Sequence, residues 1–180
     1  MKKWHYILLS LLGLATLLVF TPGGRKLAMD VYNTLTDTGL RLLKQFEGFR
    51  NNVYQDAVGY WTIGYGHLVK TTDPYHPYGP VKTISNAEAD ELLRQDTNEA
   101  QDAVRSMVTV PLNSNQFDAL TSLVYNIGRG NFSRSPVLQL LNQGNYQGAA
   151  KAFGNHVYAK GQVLEGLISR RNHEIGVFLS

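Results

Sequence analysis

Glu47 and Asp56 stand nine residues apart, and Thr62 follows six residues after Asp56. Two carboxyl groups on different elements can divide acid–base work. One holds a proton for a leaving oxygen, while the other activates water or attacks carbon. Cleavage of a glycosidic bond requires that division. Phe46 and Phe49 flank Glu47 in sequence, and apolar neighbours would raise its pKa and keep it protonated. Two acids at this separation are also common on solvated surfaces, so the pair alone leaves both readings open. The five histidines show no His-Glu-x-x-His spacing, so neither a metal nor a cofactor is expected. With zero cysteines there is no thiolate zinc site, cysteine nucleophile, disulfide framework or thiol switch. Gly64-x-Gly66 lacks a third glycine, and neither a Walker A nor a Gly-x-Ser-x-Gly pattern occurs. Nucleotide-binding and serine-hydrolase readings therefore have no support.

The elements that must position these residues are legible in outline. Leu40, Leu43 and Phe46 recur at helical spacing, which predicts a helix from Thr38 to Phe46 with Glu47 just after it. Residues 53–68 are rich in Val, Tyr, Trp, Thr and Ile and are broken by Gly59, Gly64 and Gly66. They predict a small antiparallel sheet carrying Asp56 and Thr62. A proline-rich loop over 71–83 follows. Ser85-x-x-Glu88 is a capping box opening a helix to Val108, and Asn113-x-x-Gln116 opens another that stops at Gly128. Ser135-Pro136 starts a short helix, and residues 145–153 and 164–178 supply two more. One helix, a small sheet and a mostly helical remainder make an α+β domain.

Charge separates this domain from what precedes it. The chain has 180 residues, about one domain, and a net charge of +3. Lys2, Lys3, Arg25 and Lys26 against Asp30 place all of that excess in residues 1–36. Residues 37–180 carry 13 basic and 13 acidic residues, so no global field favours nucleic acid. The neighbouring pairs Arg129 with Arg134 and Arg170 with Arg171 read as solvated faces. Lys2-Lys3 precede an uncharged run from Trp4 to Phe20 in which ten of 17 residues are Leu, Ile, Val or Phe. About 17 residues is the lower limit for a spanning helix. No Ala-x-Ala site follows the run, which favours an uncleaved signal anchor over a cleaved signal. The organisation expected is a signal anchor over 1–24, a linker helix over 25–36 and a folded domain over 37–180.

The string from Phe46 to His67 contains Phe-Glu-Gly, Tyr-x-Asp and Thr-Ile-Gly-Tyr-Gly-His. It resembles the active-site signature of the phage-type lysozymes, glycoside hydrolase family 24. Ser85 to Leu93, Gln116 to Gly128, and Gly166 to Arg171 with Glu174 also look like that family, so the resemblance covers residues 38–180. It implies a lysozyme-like fold and hydrolysis of the β-1,4 bond between N-acetylmuramic acid and N-acetylglucosamine in peptidoglycan, with inversion. Carried over, Glu47 is the general acid, and Asp56 and Thr62 hold and polarise the attacking water. Tyr65, His67 and Asn126 are candidate substrate-binding residues. For His67 a hydrogen-bonded structural role, and for Asn126 the end of its helix, are equally compatible with the sequence. Membrane-tethered relatives include endolysins of the signal-anchor-release type. The implied protein is a monomeric phage or prophage endolysin held at the host inner membrane through residues 4–20. It would face the periplasm, be released there or stay tethered, and act on glycan strands. A bacterial wall-remodelling muramidase, a lytic transglycosylase and an inactive peptidoglycan-binding module are the alternatives.

Overall fold

A computed structural model describes residues 34–56, 58–76, 79 and 83–180. The expected signal anchor and most of the linker helix lie outside the described residues. Leu35 and Thr36, at the end of that linker segment, are packed onto the domain. The Leu35 side chain is buried, its N–H donates to Gln101 Oε1 (3.1 Å) and its carbonyl accepts from Arg94 Nη1 (3.0 Å).

Helix α1 (Asp37–Glu47) starts where the Thr36 hydroxyl accepts the Thr38 and Gly39 amides, and it buries Leu40, Leu42 and Leu43. The carboxylate of Asp118, fully buried, accepts the Thr36 and Gly39 amides at 2.9 and 3.0 Å, which pins the same end. The helix stops at Gly48, whose φ of +69° lies in the left-handed region that glycine adopts without strain. Glu47 is thereby the last helical residue. Strands β1 (Arg50–Gln55), β2 (Trp61–Gly64) and β3 (His67–Leu68) form an antiparallel meander in which Tyr54 pairs with Thr62 and Gln55 with Trp61. The register shifts between Arg50 and Tyr54.

The remainder is helical, in the α+β arrangement expected. The stretch read as one helix from Ser85 to Val108 is two, α2 (Asn86–Asp96) and α3 (Asn98–Met107). The break falls at Thr97, fully buried, whose hydroxyl donates to the Arg94 carbonyl (2.7 Å) and competes with the helical ladder. The Ser85–Glu88 capping box forms as expected. So does the Asn113–Gln116 box, which opens α4 (Ser114–Ile127). Helices α5 (Arg129–Ser133), α6 (Pro136–Asn142) and α7 (Tyr146–Ala152), a 3-10 turn (Phe153–Asn155), a hairpin of β4 (Tyr158–Ala159) and β5 (Gln162–Val163), and α8 (Glu165–Phe178) complete the order.

Two apolar clusters hold the domain together. The larger gathers Phe117, Leu120, Leu123, Phe132, Phe153 and Phe178 from the helical part. The smaller joins Leu40 and Leu43 of α1 to Ile63, Tyr65 and Leu93. Tyr125 on α4 packs against both, so α4 is the seam between the lobes.

Candidate active site

Glu47 keeps about a quarter of its side chain exposed (24%), and its Oε1 accepts a hydrogen bond from Arg170 Nη1 at 2.8 Å. Oε2 makes no hydrogen bond among the described residues. Phe49 lies against Tyr65, while Phe46 meets His173 and takes the Arg170 guanidinium over its face at 5.3 Å. The partner of Glu47 is a cation.

Arg170 and Arg171 are not a solvated face. They are 4% and 1% exposed, and both turn onto Glu174, which is 0% exposed. Glu174 Oε1 accepts from Ser122 Oγ (2.7 Å), Arg171 Nη2 (3.1 Å) and Arg170 Nε (3.2 Å), and Oε2 lies 2.8 Å from Arg171 Nε. Burial pushes the Glu174 carboxyl up and the Arg171 guanidinium down, and their mutual attraction opposes both shifts. Arg171 Nη2 also donates to Asn126 Oδ1 at 3.0 Å. Two carboxyls and two guanidiniums thus alternate in a row from Glu47 through Arg170 and Glu174 to Arg171. The signal for this cluster was Arg-Arg-x-x-Glu, which puts Arg170 and Glu174 at i and i+4 on one helix face.

Asp56 follows β1 and is held differently. Its Oδ1 accepts the amides of Val58 and Tyr60, both at 2.9 Å, and its own amide donates to the Tyr60 carbonyl (2.9 Å). Gly59 closes the turn at φ +92°. Oδ2 makes no hydrogen bond among the described residues. Thr62, 5% exposed, donates its hydroxyl to the same Tyr60 carbonyl (3.1 Å). Residue Tyr60 therefore links Asp56 to Thr62 through its own backbone, amide to one and carbonyl to the other.

The three candidate substrate-binding residues are placed as follows. Tyr65 is 8% exposed in the smaller core, with Lys44 Nζ 5.3 Å over its ring. His67 Nδ1 lies 2.9 Å from Asp96, and Nε2 lies 3.5 Å from Asp73. The Asp96 contact raises the His67 pKa, with Asp73 adding to it and burial opposing. Asn126 does not end its helix, since α4 runs on to Ile127 and Gly128 is the cap. It lines a cavity of about 380 Å³ with Ile127, Asn131, His156, Tyr158 and Leu167. Among the described residues, no group of three or more His, Asp or Glu side chains is arranged to hold a metal ion.

Comparison with known proteins supplies the class. The phage lysozyme family profile matches residues 44–174. The endolysin of Salmonella phage P22 is 42% identical over 146 residues, covering 81% of this chain and 98% of its own. A crystal structure of a P22 lysozyme mutant superposes with a TM-score of 0.73 at 40% identity, over 82% of this chain and 99% of that one. The endolysin of Bacillus phage B103 is 38% identical over 148 residues and 81% of this chain, which spans about half (54%) of that longer protein. The SAR-endolysin of Bacteriophage PS119 is 36% identical over 133 residues, covering 74% of this chain and 76% of its own. The chain belongs to the phage lysozyme family and is a glycoside hydrolase of the lysozyme type.

Proposed function

We propose that the chain is an endolysin that cleaves the β-1,4 bond between N-acetylmuramic acid and N-acetylglucosamine, with Glu47 as acid and Asp56 as base. The observation that carries this reading is that each carboxylate has one oxygen tied and one free. Arg170 holds Oε1 of Glu47, which leaves Oε2 to carry the proton delivered to the glycosidic oxygen. The Val58 and Tyr60 amides hold Oδ1 of Asp56, which leaves Oδ2 to accept a proton from water. The Thr62 hydroxyl spends its own proton on the Tyr60 carbonyl, so its lone pairs accept the second hydrogen of that water. Two acceptors on one water aim its lone pair at the anomeric carbon. As water attacks, the C–O bond to the leaving sugar breaks, Glu47 supplies the proton to the departing oxygen, and Asp56 takes one from the water. Attack from the face opposite the leaving group inverts the anomeric centre. Asn126, beside its cavity, contacts the sugar or its substituents, and His67 and Tyr65 hold the sheet against α1 and α2.

The similarity to SAR-endolysins supports a membrane-held enzyme. Residues 4–20 are the segment that would tether it, with the domain over 37–180 on the periplasmic face and acting as a monomer. Among the described residues no helix is long and apolar enough to cross a membrane. Mass spectrometry of purified peptidoglycan digested with the full chain tests the chemistry. Reducing N-acetylmuramic acid ends are expected. Anhydro ends would make the protein a transglycosylase, and absence of cleavage would make it a binding module.

A further inference from the structure

We infer that Glu174 is the positioning residue of the acid side of this site, acting through Arg170, an inference that rests on the assignment of Glu47 above. A guanidinium is planar and rigid, so fixing part of its fork fixes the direction of the rest. Arg170 donates through Nε to Glu174 Oε1 (3.2 Å) and directs Nη2 to the Ser122 carbonyl and hydroxyl (3.4 and 3.5 Å). The nitrogen that remains, Nη1, meets Glu47 Oε1 (2.8 Å). The orientation of the Glu47 carboxyl is thus set from α8 and α4, not from its own helix, of which it is the last residue.

The same carboxylate holds a second outward-reaching group. Arg171 Nη2 donates both to Glu174 Oε1 (3.1 Å) and to Asn126 Oδ1 (3.0 Å). One fully buried anion therefore aligns the partner of the acid and the partner of a carboxamide that lines the neighbouring cavity. Stability alone is a weak reason for this arrangement. Taking two cations and an anion out of water is costly, and an apolar replacement of a buried ion cluster is often neutral or stabilising. A chain that needed only to fold could fill this space with apolar side chains. What they could not supply is a direction for Arg170.

The test uses the full chain, soluble peptidoglycan glycan strands and initial rates, with a thermal melt for each variant. Wild type must cleave and Glu47→Gln must not. Cleavage by Glu47→Gln would defeat the assignment of the acid itself, whatever Glu174 does. Given that control, Glu174→Gln, similar in size but uncharged, is expected to lose about 10- to 100-fold in kcat with KM within about 3-fold, as for a reacting group moved by a fraction of an ångström to an ångström. Glu174→Asp, which restores the charge, is expected to recover part of the lost kcat. A folded Glu174→Gln with wild-type kcat would overturn the proposal. So would a loss that only follows the fraction unfolded. If Glu174→Gln does not fold, Ser122→Ala decides the matter. It removes the hydroxyl shared by Glu174 and Arg170, and a kcat lower by about 3-fold or more at constant KM supports the proposal. An unchanged kcat in Ser122→Ala would contradict it.

Discussion

The two carboxylates of this site are held by opposite means. Glu47 is held by side chains from other elements. Arg170 reaches it from 123 residues away in sequence and is itself fixed by Ser122 and Glu174. Asp56 is held by the backbone of its own turn, through the amides of residues two and four positions on. The first arrangement concentrates charge in a buried space, and its geometry depends on the packing of α1, α4 and α8. The second is local and partly exposed, and it survives as long as the β1–β2 turn closes. The acid side is therefore expected to couple activity to stability, and the base side is not.

The largest effects come from the carboxyls themselves. Glu47→Gln and Asp56→Asn are each expected to lower kcat/KM by about 10²- to 10⁴-fold, the range for a lost general acid or base. They should do so without matching effects on folding. Asp56→Asn keeps an oxygen for the Val58 and Tyr60 amides, so its unfolding free energy from urea titration should lie within about 0.5 kcal/mol of wild type. Next comes Glu174→Ala. It leaves Arg170 with Glu47 as its remaining carboxylate and Arg171 with only the Asn126 carboxamide, and should cost about 3–5 kcal/mol in equilibrium unfolding, as removal of one partner from a buried ion pair does. Comparable destabilisation by Asp56→Asn, or none by Glu174→Ala, would erase the contrast between the two sides.

Smaller effects sharpen it. Gly48→Ala forces a Cβ into the left-handed region at the end of α1, where no neighbouring atom lies within 4 Å. The cost is then conformational, about 1–3 kcal/mol by urea titration, because φ +69° with ψ 155° is a combination essentially confined to glycine. Activity should fall more than for Gly130→Ala, an open position without positive φ. The smallest effect is a pH dependence on the sheet side. Asp96, then Asp73, raise the His67 pKa in the folded state above its unfolded value of about 6.5. The folded protein then binds that proton more tightly. The stabilisation is fully present below the unfolded value and is lost as pH rises through the folded one. The difference in unfolding free energy between wild type and His67→Gln should therefore be larger in mild acid than in mild base. A difference that grows with pH would contradict the assigned direction.

What the sequence disclosed follows the same division. Local devices were legible: the capping boxes at Ser85 and Asn113, proline at the start of α6, the stop at Gly128, and the turn region carrying Asp56 and Thr62. Each depends on residues within a few positions of one another. The helix break at Thr97 was missed because a single threonine inside a strong apolar period gives no outward sign that its hydroxyl will turn back onto Arg94. The β4–β5 hairpin was missed because its turn uses Lys160, at φ +49°, and Gly161 rather than an Asn-Gly or Asp-Gly pair. The hydrogen-bond partner of Glu47 was missed for a third reason. Phe46 and Phe49 are its neighbours in sequence, but its partner Arg170 lies 123 residues further along the chain. The arginines that read as a solvated pair were the residues that α8 turns inward.

The division of labour between Glu47 and Asp56 is tested most directly by changing the leaving group. An aryl β-glycoside of a muramic-acid-containing oligosaccharide departs as a stable phenolate and needs little protonation, but it still needs an activated water. On that substrate Glu47→Gln is expected to recover most of its lost rate relative to wild type, while Asp56→Asn stays as defective as on peptidoglycan. Equal recovery by both variants, or by Asp56→Asn alone, would contradict the assignment of acid and base.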